Sequence, residues 1–340
     1  LHPRVRRQRQ MCIRDRVYQM KIKLYHYTIP CRTGVVLRKQ PLTERQGLVI
    51  RLEKNGKIGW GEIAPLPTFS RETLAECEAQ VRQWLKKPTD LMDNFAPSVA
   101  FGISCALAEL NGTLQPESDF RSAILCDGDI AKFSAKLTAC QAHLGKIKIG
   151  FNAEKEGELA NLLLMQFPDL QLRLDANRVF SLEQAVKFAE KIAKPLRSHI
   201  QFIEEPCQTP ALSRQFAEMT GIHIAWDESV REPHFLVKDE PNLTAIVIKP
   251  TLTGSLEKCV SLIQQAHSQG ISVVISSSIE SSLGLTQLAR IVKQYTPEMV
   301  AGLDTLHLMQ WQLLRQWQGS DLPLIDENSE FLRLILESED

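Results

Sequence analysis

Residues 20–29 (MKIKLYHYTI) alternate apolar and polar positions with the period of two that a half-buried strand requires. A polar stretch follows over 31–47. Two further strand-like runs then meet at Asn55-Gly56, the dipeptide suited to a two-residue hairpin turn because both residues tolerate positive φ. Ser70 is placed to cap a helix with Leu74, Cys77, Val81 and Leu85 on one face, and a second apolar helix covers roughly 98–110. Together these predict a small α+β unit over 20–112.

From about residue 120 the pattern changes to short β-branched runs alternating with amphipathic helices, as in a parallel sheet built from βα units. Strand ends are expected near Cys126, Lys148, Asp175, Glu204, Asp227, Lys249, Ser276 and Gly302, spaced 22 to 29 residues apart. One strand, one helix and two loops fill that length, so the spacing predicts a closed (β/α) barrel over 113–305. Ser181 with Gln184 forms a capping box before one helix, and Ser255 precedes another that Gly270 stops. A doubly wound open sheet is the alternative, but no G-x-G-x-x-G follows the first strand.

Composition narrows the class. The 340 residues are 44% apolar and 24% charged, as in soluble globular chains. Forty basic residues balance forty acidic ones, so no net field favours nucleic acid or an anionic membrane, and no apolar run is long enough to span a bilayer. The eight cysteines form no C-x-x-C pair, which argues against a zinc knuckle or disulfide framework and for a reducing cytoplasm. Residues 1–19 carry six arginines, one acidic residue and no periodicity. They are expected to be an extension arising from cloning or an upstream translation start, with Met20 as the natural beginning.

Candidate chemistry lies at the predicted strand ends, where barrel enzymes hold their reacting groups. In KIKIG, Lys146 and Lys148 share a face, and in RLDAN so do Arg173, Asp175 and Asn177. Glu204 and Glu205 follow in FIEEP, Asp227 in AWDES and Lys249 in VIKP. Carboxylates on three neighbouring strand ends, each ~4.8 Å from the next, suit a hard cation such as Mg²⁺, or Mn²⁺ in its place. A lone charge at a strand end is usually a capping or solvated residue. Five in register are harder to explain that way, because burying idle ions costs roughly several kcal/mol each. Parity does not choose between Glu204 and Glu205; Glu205 is expected to pair structurally with an Arg or Lys on a neighbouring helix. The serines of SSSIESS (276–282) can cap the next helix, bind substrate, or both. The eight histidines show no metal-ligand spacing and are expected to be ordinary surface or core residues.

The K-x-K, Asp, Glu, Asp, Lys order resembles the enolase superfamily in its muconate lactonizing subgroup. Longer strings are similar to the proteobacterial o-succinylbenzoate synthase family: GVVLR (34–38), GWGEIAPLP (59–67), SVAFGISCALAEL (98–110), EEPC, VIKPTLTGSLEK (247–258), SSSIESSLGLTQLAR (276–290) and GLDT (302–305). The resemblance runs from Met20 to about residue 325. It implies an N-terminal α+β capping domain, with 306–340 packing back on it, and a (β/α)7β TIM-like barrel. It further implies Asp175, Glu204 and Asp227 as metal ligands, Lys148 as acid/base, Lys249 as its counterpart and Lys146 as an assistant. Arg173, Asn177, Ser276, Ser277 and Gly302 would contact substrate, and 31–47 would close over the pocket. The implied reaction is Mg²⁺-dependent dehydration of a small-molecule carboxylate, with no nucleic acid, membrane or obligate protein partner. A racemase or dipeptide epimerase of the same subgroup is the near alternative, and an inactive barrel serving as a scaffold the remote one.

Overall fold

The computed structural model describes residues 20–89, 91–126 and 128–337, so the expected extension over 1–19 and residues 338–340 lie outside the described residues. Strand β1 (Lys21–Pro30) pairs antiparallel with β2 (Glu44–Lys54), and β2 with β3 (Lys57–Ile63). Asn55 and Gly56 join the last two at φ +53° and +74°, the geometry this dipeptide supplies without strain. Helix α1 (Leu74–Lys86) begins three residues later than Ser70 would set it. Thr73 is the cap: its hydroxyl accepts from the Glu76 amide while Glu76 accepts from the Thr73 amide. That reciprocal box satisfies two orphan donors, whereas Ser70 accepts only from the Leu66 amide within the preceding turn. Helix α2 (Pro97–Asn111) lies directly on β3, and the glycines of GWG are what permit it. A Cβ on Gly61 would stand 1.9 Å from the Gly102 carbonyl oxygen, and one on Gly59 2.0 Å from that of Ala106.

The second part repeats strand and helix: β4 (Ile124–Leu125), α3 (Ile130–Ala139), β5 (Leu144–Lys148), α4 (Ala153–Gln166), β6 (Gln171–Asp175), α5 (Leu182–Glu190), β7 (Ile200–Glu204), α6 (Pro210–Thr220), β8 (Ile224–Trp226), β9 (Leu243–Ile248), α7 (Leu256–Ser268), β10 (Ser272–Ile275) and α8 (Ser282–Tyr295). The strands pair in parallel in chain order, β4 through β10. The eighth position is reduced to two bridges, Ser276 with Gly302 and Ser122 with Ala301, which tie the two edges together and close a (β/α)7β barrel. Ser181 and Ser255 cap α5 and α7 as their sequences predict. Phe202, Ala225, Ala245, Val247 and Val274 fill the barrel interior, and a larger apolar layer lies between strands and helices. Strand β11 (Leu332–Glu337) returns to pair with β1, making the first sheet β11-β1-β2-β3.

Among the described residues no helix is long and apolar enough to cross a membrane. Of the seven described cysteines all but Cys140 are buried. Two carboxylates fasten the first sheet and α2 to the barrel. Glu109 of α2 accepts from Arg315 at 2.7 Å and Arg290 at 3.0 Å, and Glu62 at the end of β3 accepts from the Ser281 and Gly284 amides at the start of α8. An acidic group there complements the positive end of a helix dipole.

Candidate active site

The parallel register sets the charges side by side. Lys148 is opposite Asp175, and Asp175 opposite Glu204, at the carboxyl ends of β5, β6 and β7. Asp227 and Lys249 follow one residue after β8 and β9. Lys146 reaches across to both oxygens of Glu204 at 2.8 Å and to Asp175 at 3.1 Å, while Lys249 makes a short ion pair with Asp227. Burial opposes the charge on both ammonium groups, but the neighbouring carboxylates outweigh it and raise both pKa values. Burial likewise works against the charge of Asp175, yet Lys146, Lys249 and Lys148 hold its carboxyl well below the usual range. For Glu204 burial prevails and pushes the carboxyl up. Lys148 differs from the other two lysines. Its side chain is exposed, and it makes no hydrogen bond or ion pair among the described residues.

These groups border a cavity of about 1270 Å³ at the carboxyl end of the barrel. Lys146, Lys148, Asp175, Asn177, Lys249, Ser276, Ser277 and Gly302 line it, and residues 32–37 with Leu66 and Phe69 form its cover from the first unit. Glu204 and Asp227 are 1% exposed and sit below this surface, under the lysines paired with them. Arg173 also stays beneath. It is 2% exposed, donates to Gln201 at 2.9 Å and to the Val300 carbonyl at 2.7 Å, and does not border the cavity. Asn177, at φ +45°, donates to Glu228 at 3.2 Å. Glu205, at φ +33°, turns away from the cavity to accept from the Asp227 and Ser229 amides at 3.0 and 2.6 Å. Its cationic partner is Arg178, which belongs to the turn after β6 rather than to a helix.

The three carboxylates are not drawn around one point, because Lys146 bridges two of them, and among the described residues no three His, Cys, Asp or Glu side chains form a ready ligand set. Two features nevertheless suit a hard cation. The donors are carboxylate oxygens from adjacent strand ends, and Asp227 Oδ1 is buried without a hydrogen bond, with Arg231 at 3.5 Å.

Further charged residues line the cavity besides those at the strand ends. Glu156, on the first turn of α4, accepts from the Gly150 and Phe151 amides at 2.9 and 3.0 Å and so fixes the turn after Lys148. Asp304 accepts from the Leu125 amide at 2.9 Å and from Lys136 at 2.6 Å, with His307 at 3.5 Å. His307 thus borders the cavity and is not an ordinary surface residue. Burial opposes ionisation of Asp304, but His307 and Lys136 prevail and bring its carboxyl down to about 2. A depressed folded-state pKa adds stability above the unfolded value and loses it as pH falls toward about 2. Asp304→Asn is therefore expected to cost about 2 kcal/mol in urea unfolding at pH 7, the gap closing between about pH 4 and pH 2.

Residues 19–110 match the family model described as MenC, N-terminal domain, and residues 132–316 match Enolase C-terminal domain-like. An o-succinylbenzoate synthase of Haemophilus influenzae is 51% identical over 328 residues, covering 94% of this chain and 99% of the relative. One of Yersinia pseudotuberculosis is 53% identical over 307 residues, covering 89% and 95%. Among solved structures, the o-succinylbenzoate synthase of Thermosynechococcus elongatus, complexed with magnesium in its active site, superposes with a TM-score of 0.67 at 23% identity over 83% of this chain and 92% of that one. The L-Ala-D/L-Glu epimerase of Bacillus subtilis gives 0.72 at 17% identity over 85% and 90%. The barrel is thus common to synthases and epimerases, whereas half of the residues are shared with the synthases along nearly their full length, and the chain belongs to the o-succinylbenzoate synthase family of the enolase superfamily.

Proposed function

We propose that this protein dehydrates 2-succinyl-6-hydroxy-2,4-cyclohexadiene-1-carboxylate to o-succinylbenzoate, a step of menaquinone biosynthesis, with 113–305 as the catalytic barrel and 20–112 plus 306–340 as its cap. The observation that carries this reading is the unequal state of the three lysines. Lys146 and Lys249 are tied to carboxylates, and Lys148 faces the cavity with no hydrogen bond or ion pair among the described residues. A dehydration with proton removal and hydroxyl loss on one face needs one mobile proton carrier. Lys148 Nζ takes the proton from the carbon α to the carboxylate. The electron pair moves into the enediolate, and the same Nζ returns the proton to the departing hydroxyl, so the net loss is one water. Lys249, kept as an ammonium by Asp227, offers fixed positive charge and no proton exchange. Asp175, Glu204 and Asp227 would hold the divalent cation, Mg²⁺ by the nature of the donors, and Asn177, Ser276, Ser277 and the Gly302 backbone would orient the substrate. Bound there, the cation supplies the charge that makes an α-proton of a carboxylate removable. Arg173 would act from below, through Gln201 and the Val300 carbonyl.

The test is turnover of the cyclohexadiene with and without Mg²⁺, alongside exchange of the α-hydrogen of both enantiomers of an N-succinyl amino acid in deuterated water. Metal-dependent dehydration with slow exchange supports the reading. Fast exchange of both enantiomers, with Lys148→Ala and Lys249→Ala each abolishing one, would establish a two-base racemase instead.

A further inference from the structure

The loop from β10 to α8 carries the serine wall of the cavity, and at its centre Ile279 adopts φ +58°. A β-branched residue enters the left-handed region rarely, and such backbone persists only where its surroundings over-determine it. Three contacts do so here. Ser277 Oγ accepts from the Ile279 amide at 3.3 Å, and Glu280 Oε2 accepts from the Ser278 amide at 2.6 Å, both within the loop. The third comes from the other unit: Arg45, near the start of β2, donates Nε to the Ile279 carbonyl at 2.8 Å.

Arg45 is fully buried and makes no ion pair among the described residues. Its remaining donors go to the carbonyls of Gln46 at 3.1 Å, Pro65 at 2.7 Å and Ala64 at 2.5 Å. All four acceptors are main-chain oxygens, three on the cap and one on the substrate-facing loop. A planar, rigid fork of donors is the one side chain able to span such a set, and lysine is not its equivalent. We propose that Arg45 is a positioning residue that fixes the serine wall in its substrate-binding shape by clamping the Ile279 carbonyl to the cap. Neither Arg45 nor Ile279 belongs to the set of ionisable residues at the strand ends, so the clamp acts on substrate fit and leaves the metal ligands alone.

The kinetic arm of the test rests on the dehydration reading, and the exchange arm does not. Arg45→Lys is expected to raise KM for the cyclohexadiene about tenfold or more with kcat held within about threefold. Amide exchange in the peptide 276–283 should quicken about tenfold while the barrel strands are unchanged. Mg²⁺ affinity by calorimetry should stay within about twofold, since the ligands lie on other strands. Glycine adopts positive φ without strain, so Ile279→Gly added to Arg45→Lys should bring KM back to within about threefold of Ile279→Gly alone. The double variant is also the one expected to fold if the single one does not. Unchanged exchange in 276–283, a parallel fall of kcat, metal affinity and melting temperature, or failure of the double variant to fold would each overturn the assignment. A wild-type protein without dehydratase activity would end the functional reading and leave the exchange measurement to decide the clamp.

Discussion

Lys148→Ala is expected to leave a folded protein that still binds Mg²⁺ and substrate but dehydrates the cyclohexadiene about 10²- to 10⁴-fold more slowly, the range for losing a general acid/base. Folding is spared because the side chain is exposed and makes no hydrogen bond or ion pair among the described residues, and Asp175 keeps its ion pair with Lys146. Lys249→Ala should behave differently. Asp227 would keep a buried carboxylate with Arg231, at 3.5 Å, as its remaining ion pair, so both turnover and melting temperature should fall. Circular dichroism melts and single-turnover rates on the two variants check the contrast. Equal destabilisation of both, or a Lys148→Ala enzyme within tenfold of wild type, would remove Lys148 from the proposed role.

The row of charged strand ends was legible in the sequence for a geometric reason. The spacing of βα units locates strand ends, and the two-residue period of a strand decides which neighbours share a face, so KIKIG, RLDAN, EEP, WDE and IKP could be aligned before any coordinates. Parity conveys face and not depth. Arg173 shares its face with Asp175 and Asn177, yet it lies one layer deeper, where Gln201 and Val300 engage it. Nor does parity settle adjacent residues when the chain leaves the strand. Glu204 ends β7 facing the lysines, and Glu205, just past the strand with its backbone at positive φ, turns away to the Asp227 and Ser229 amides. Glu156, Asp304 and Arg45 were invisible for another reason. Glu156 and Arg45 act through main-chain groups, Asp304 meets Leu125 and Lys136 168 or more positions away, and Arg45 meets the Ile279 carbonyl 234 positions away, contacts that leave no local pattern. At α1 the error was purely local, since T-x-x-E at 73–76 is the stronger capping signal and stands nearer the apolar run than Ser70.

The pair Glu204 and Glu205 carries the other large expectation, because neighbouring carboxylates are assigned opposite duties. In Glu204→Ala, Lys146 keeps its ion pair with Asp175 and one buried carboxyl whose charge burial disfavours is gone, so the metal-free protein should melt no lower than wild type. What it should lose is the response to the ion. Saturation of wild type at about 100 times the dissociation constant adds about 2.7 kcal/mol, read as a rise of a few degrees in melting temperature, and Glu204→Ala should show none of it and no turnover. Glu205→Ala should do the reverse. It leaves the Asp227 and Ser229 amides without their acceptor and Arg178 without its buried partner, a loss of about 3–5 kcal/mol with or without metal. The protein that remains folded should still be stabilised by Mg²⁺, more weakly, since the Asp227 backbone is no longer held. A metal response that survives in Glu204→Ala and vanishes in Glu205→Ala would exchange the two roles and move the cation site away from the lysine-lined cavity.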